Sequence, residues 1–124
     1  MPSDKAVILC VDDEEVPLKL RRMVLEKAGY YVITASSAAQ ALDIADSRHV
    51  DLVLSDQLMP PGFEGTELAR RIKSFLPGVP FILLSGVNEV PADADCADLF
   101  LSKLVGPRVL CETVEQMLMA ASKP

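Results

Sequence analysis

Short apolar runs in this 124-residue chain end on side chains that could do chemistry. Ala6–Val11 is followed by Asp12, Asp13, Glu14 and Glu15, and Leu52–Ser55 by Asp56. Phe81–Leu84 is followed by Ser85, and Leu99–Leu101 leads to Lys103. Like-charged carboxylates brought together cost about 4 kcal/mol per pair at about 4 Å and an effective dielectric near 20. Asp12, Asp13 and Asp56 in one crevice must therefore protonate, pair or bind a cation. Oxygen-only ligands with open positions suit Mg²⁺, or Mn²⁺ in its place. Three carboxylates, the Lys103 ammonium and one Mg²⁺ would sum to zero charge. One carboxylate can then act as a nucleophile towards phosphorus. The metal and Lys103 would stabilise charge on the equatorial oxygens. Esterifying Asp56 replaces one negative charge with almost two, and Ser85 is placed to donate a hydrogen bond to it.

Such a crevice needs strands that deliver these residues side by side. Ala6–Val11 is continuously apolar and β-branched, as in a strand buried on both faces. Tyr31–Ala35, Leu52–Ser55, Phe81–Leu84 and Leu99–Leu101 are further strands. Between them lie helical patterns. The first carries Val16, Leu20, Met23, Val24 and Lys27 at helical spacing, has Pro17 in its first turn and stops at Gly29. The second opens on Ser37 and Gln40, a capping box, and continues through Ala41, Leu42, Ile44 and Ala45. The third runs from about Gly65 to Leu76, with Leu68, Ile72 and Phe75 on one face. The last follows Gly106-Pro107, with Leu110, Val114, Met117, Leu118 and Ala121 inward. Strands alternating with helices make an α/β, doubly wound parallel sheet with helices on both faces. In such sheets, chemistry sits at the carboxyl ends of the strands.

Composition narrows the class. Apolar residues make up 50% and charged residues 24%, which fits one globular domain over 1–124. Net charge −6 argues against a basic nucleic-acid face. No apolar run approaches the roughly 18 residues of a membrane span, and no signal peptide leads the chain, so a cytoplasmic location is expected. Cys10, Cys96 and Cys111 form no Cys-x-x-Cys pair, which reads as reduced thiols rather than a zinc site. His49, the only histidine, falls near the end of the second helix, a surface position. Asp93, Asp95 and Asp98 lack the Gly and closing Glu of a calcium loop and read as a solvated acidic loop.

Taken together, Val11-Asp12-Asp13-Glu14, Val53–Pro60 around Asp56, Leu84-Ser85-Gly86 and Phe100-Leu-Ser-Lys103 resemble the response-regulator receiver domain of two-component signalling, of the chemotaxis-regulator type. The resemblance covers nearly the whole chain. It implies a flavodoxin-like five-stranded sheet in the order 2-1-3-4-5. It implies that Asp56 takes a phosphoryl group from a sensor histidine kinase or a phosphotransfer protein. Asp12, Asp13 and Asp56 would hold Mg²⁺ with the backbone carbonyl of Leu58, while Ser85 and Lys103 contact the phosphoryl group. Phe100 matches the aromatic that changes rotamer as Ser85 moves. An unidentified protein would read the change, with no nucleic acid or membrane contacted directly, by a monomer or weak dimer.

Departures from the family pattern set further expectations. Lys103 is followed by Leu104 where the family has proline after a cis bond, so the Lys103–Leu104 bond is either trans, with Lys103 re-aimed, or strained. The loop Met59–Gly65 is one residue longer than usual, and the stretch from Ser85 to Lys103 is shorter, implying a short, displaced or absent fourth helix. Leu58 and Val87 cannot orient a hydrolytic water, so self-dephosphorylation is expected to be slow. Beyond that self-chemistry the chain is not expected to be an enzyme. With Met1 first and Pro124 last, no output domain is expected in this chain. Two other readings compete. One is a phosphorylation-independent interaction module on the same scaffold. The other, ranked last, is a small metal-dependent phosphohydrolase.

Overall fold

The computed structural model describes residues 5–57, 65–85 and 97–122. Its strands are β1 (Val7–Val11), β2 (Tyr31–Ala35), β3 (Leu52–Asp56), β4 (Phe81–Ser85) and β5 (Leu99–Ser102). They pair in parallel in one sheet, ordered β2-β1-β3-β4-β5. The helices among the described residues are α1 (Glu15–Lys27), α2 (Ala38–Ser47), α3 (Gly65–Phe75) and α4 (Pro107–Ser122). The expected irregular fourth helix between Ser85 and Lys103 lies outside the described residues.

Successive strand side chains point to opposite faces, so each apolar run feeds two cores. Leu9, Val11, Val53, Phe81 and Leu83 pack against Ala38, Ala41 and Ala45 of α2 and Leu68, Ala69 and Ile72 of α3. Ile8, Cys10, Leu52, Leu54, Ile82 and Leu84 pack against Leu18 and Leu25 of α1 and Leu110 and Val114 of α4. Helices thus cover both faces, which explains why β3 and β4 are buried at every position.

Helix ends follow local chemistry. Pro17 is the third residue of α1, where a missing N–H costs nothing. Gly29 adopts φ 105° just past that helix, a conformation glycine takes without strain. Ser37 caps α2 by accepting from the Gln40 N–H at 3.1 Å. The return contact is displaced by one residue from the standard box: Gln40 Oε1 accepts from the Ser36 N–H at 2.8 Å.

The structure chooses the buried side of three helices and, at Ala121, corrects an expected inward position. Val16, Leu20 and Met23 are at helical spacing but 67%, 57% and 64% exposed. Helix α1 carries two apolar stripes, and the one holding Leu18 and Leu25 faces the sheet. Its rotation is set at the entry turn, where the Glu14 N–H donates to Asp12 Oδ1 at 2.9 Å. In α3, Phe75 is 42% exposed, because Leu68, Ala69 and Ile72 with the following Leu76 already fill that face. Ala121 is exposed in the last turn of α4, beyond the half-buried Met117 and Leu118.

Candidate functional site

The topology brings the carboxyl ends of β1, β3, β4 and β5 into one row. Asp12 follows β1 directly and is fully buried, its N–H donating to the Ala35 carbonyl at 3.1 Å. Asp13, next in sequence, is exposed. Asp56 is the last residue of β3 and is buried. Carboxylate oxygens of Asp12, Asp13 and Asp56 lie within 4.8 Å of one another. Lys103 Nζ stands 2.7 Å from Asp56 Oδ1. This contact is an ion pair without hydrogen-bond alignment, since Oδ1 is buried and receives no well-directed hydrogen bond. Burial, above all, pushes the Asp56 carboxyl up from its ordinary pKa. The Lys103 contact pulls it back, and the Asp12 charge adds to the upward push. An oxygen-only acid cluster with an orphaned buried oxygen fits a hard divalent cation.

Main-chain bonds fix the cation and the hydroxyl beside it. Ser85 is buried at the end of β4 and pairs in register with Ser102. The Lys103 N–H donates to the Ser85 carbonyl at 2.9 Å. The described residues contain no cis peptide bond, so Lys103–Leu104 is trans. Lys103 is nevertheless not re-aimed, and its ammonium reaches Asp56. The Leu104 N–H instead donates to Ser102 Oγ at 3.0 Å, a serine turn that proline, lacking the N–H, could not make. Phe100 lies opposite Leu83 in the ladder, half-buried against the α2/α3 core. Leu58, Val87 and the loop 59–64 lie outside the described residues.

Gly65 opens α3 directly behind the site. Its N–H donates to the Gln57 carbonyl at 2.9 Å. A Cβ there would stand 2.6 Å from the Asp56 carbonyl oxygen and run into the Leu83 side chain. Only glycine lets α3 start this close to the end of β3.

Arg21 was not singled out by sequence reasoning. Its Nη1 lies 2.6 Å from Asp12 Oδ2, with side-chain exposures of 16% and 0%. The signal was present: Arg21 falls three residues after Leu18 and four before Leu25, an arginine within the buried stripe of α1.

Other candidates fall away. His49 is exposed and pairs with Asp51 at 2.8 Å, far from any chemistry. Asp98 accepts from the Phe81 N–H at 2.7 Å and pairs with Lys73, while Asp93 and Asp95 lie outside the described residues. Cys10 is buried, and its thiol is pushed up to about 12 by that burial.

The family model for the response regulator receiver domain matches residues 8–115. The chain belongs to this family. Receiver domains are phosphoacceptor switches of two-component systems, phosphorylated by sensor kinases and relaying to output domains. This receiver domain is 35% identical over 123 residues to the transcriptional regulatory protein GlrR of Escherichia coli (strain K12), covering 95% of this chain and 27% of that protein. It is 35% identical over 124 residues to the sensor kinase CckA of Brucella abortus (strain 2308), covering 94% of this chain and 13% of that one. It thus spans about a quarter or less of these relatives' length. A CheY-like receiver domain from Methanospirillum hungatei JF-1 superposes with TM-score 0.86 at 29% identity, covering 94% of this chain and 96% of that one. TrrA of Thermotoga maritima, solved in complex with Mg²⁺-BeF, superposes with TM-score 0.84 at 31% identity, covering 90% and 98%. No helix among the described residues is long and apolar enough to cross a membrane.

Proposed function

We propose that Asp56 is the phosphoacceptor of this receiver domain. Asp12, Asp13 and Asp56, with the family-implied carbonyl of Leu58, hold Mg²⁺ or Mn²⁺. The observation that carries this reading is Asp56 itself: a buried carboxylate at a strand end, ion-paired to Lys103 at 2.7 Å and flanked by Asp12 and Asp13. An Asp56 carboxylate oxygen attacks the phosphorus of a donor phosphohistidine. The P–N bond breaks, and the imidazole nitrogen leaves with the electron pair. With a small acyl phosphate the P–O bond breaks and a carboxylate leaves. The metal, when bound, offsets charge on the phosphoryl oxygens. Lys103 supplies a second positive charge from the β5 side, and the Ser85 hydroxyl donates a hydrogen bond from the β4 side. The added charge draws on Ser85 and repacks Phe100, and a cytoplasmic partner protein reads the change. Leu58 and Val87, both apolar, make self-dephosphorylation slow.

Intact mass after incubation with an acyl phosphate and Mg²⁺ tests the reading. One added phosphoryl group, absent without Mg²⁺ and absent in Asp56→Asn, is expected. No adduct under any condition would overturn it in favour of a phosphorylation-independent module. The Arg21–Asp12 pair, which already gives one acid a cation, is the observation that favours that second reading.

A further inference from the structure

Each oxygen of the Asp12 carboxylate already accepts one directed bond. Oδ1 accepts the Glu14 N–H at 2.9 Å and Oδ2 accepts Arg21 at 2.6 Å. The pair differs from the other arginine pairs of the helices. Arg22–Glu26 and Arg108–Glu112 are i, i+4 contacts in solvent, where such pairs contribute little. Arg21–Asp12 joins a helix to a strand end around a carboxylate with no exposure. Two cations, Arg21 and Lys103, already face the three acids, which leaves one net negative charge before any metal arrives.

We propose that Arg21 is a resident counter-cation of the acid pocket, which competes with the divalent ion for Asp12 and sets the Mg²⁺ affinity of the unphosphorylated domain. The inference rests on the reading that Asp12, Asp13 and Asp56 hold that ion. A fixed guanidinium beside the pocket repels the incoming dication, and its bond to Asp12 must loosen if that carboxylate is to turn towards the metal. Without metal, the same guanidinium is what keeps a fully buried carboxylate paired.

Calorimetric binding of Mg²⁺ to the unphosphorylated protein tests this, with thermal melting in the presence and absence of Mg²⁺ as a second readout. Arg21→Met is expected to bind Mg²⁺ about tenfold more tightly, since a like charge near the ion is gone. Its metal-free form melts lower, and Mg²⁺ raises its melting temperature by more than it raises the native protein's. Arg21→Gln makes the same comparison while keeping a hydrogen-bond donor on Asp12. Arg21→Lys, which keeps the charge, stays within about threefold of native affinity. Equal or weaker binding by both Arg21→Met and Arg21→Gln, with Asp13→Asn still weakening it, would overturn the counter-cation while leaving the metal site standing. Binding indifferent to Asp13→Asn would instead remove the metal-site reading beneath it.

Discussion

Asp12 and Asp56 end neighbouring strands, both buried, and each touches a cation at almost the same distance, 2.6 Å and 2.7 Å. Their situations are nonetheless opposite. The partner of Asp12 comes from within a regular helix, and both Asp12 oxygens are engaged, one by Arg21 and one by the Glu14 N–H. The partner of Asp56 comes from the turn after β5, and Oδ1 is left without a directed hydrogen bond. Asp12 has each oxygen tied by one directed bond, which orients the carboxylate and leaves a lone pair on each oxygen for a cation. Asp56 instead meets the Lys103 charge through an oxygen that receives no directed hydrogen bond, in a site where burial raises its pKa. Proximity to a cation does not separate the two; directed hydrogen bonds to the oxygens do.

Substitutions can break that contrast, and the largest effect is expected at Asp56, the proposed phosphoacceptor. Asp56→Asn should abolish phosphorylation, read as loss of the mass adduct, while the protein stays folded because a buried, desolvated charge has been removed. Lys103→Met should slow phosphorylation by about 100-fold, the scale of removing one charge-stabilising group, measured as the rate of adduct formation. Gly65→Ala pushes on the Asp56 carbonyl and on Leu83, on the Asp56 side of the comparison. It should cost about 1–3 kcal/mol in a urea melt and slow phosphorylation as well. Ser37→Ala is the control remote from both acids. Losing the α2 cap should cost about 1 kcal/mol and leave the phosphorylation rate unchanged.

The strand ends were legible because a strand buried on both faces is written as an unbroken apolar run, and the first polar residue after it marks the rim. That rule points directly to Asp12 and Ser85, while Asp56 and Lys103 stand one residue further on, behind Ser55 and Ser102. Helix rotation was harder to read. In α1 the stripe of Val16, Leu20 and Met23 is as apolar as that of Leu18 and Leu25, so periodicity marks a helix without choosing its buried side. Arg21 was hidden by the same ambiguity, since an arginine on a helix reads as solvated until the stripe beside it is known to face the sheet. At Lys103 the sequence left a trans bond with a re-aimed lysine or a strained bond, and the bond is trans with the ammonium still on Asp56. The absent proline left that choice open, and the Leu104 N–H to Ser102 Oγ contact holds the turn by another route.

The hydrogen bond from the Lys103 N–H to the Ser85 carbonyl has a mechanical meaning. Ser85 and Lys103, whose ammonium meets Asp56, hang from opposite sides of one main-chain rung between β4 and β5. If the tip of β4 shifts towards its neighbour, the root of Lys103 is dragged with it. On the proposed reading, a hydroxyl that senses new charge on Asp56 and the ammonium that compensates it would be geared together by peptide groups. Side-chain replacement at either position changes what the gear carries, not the gear.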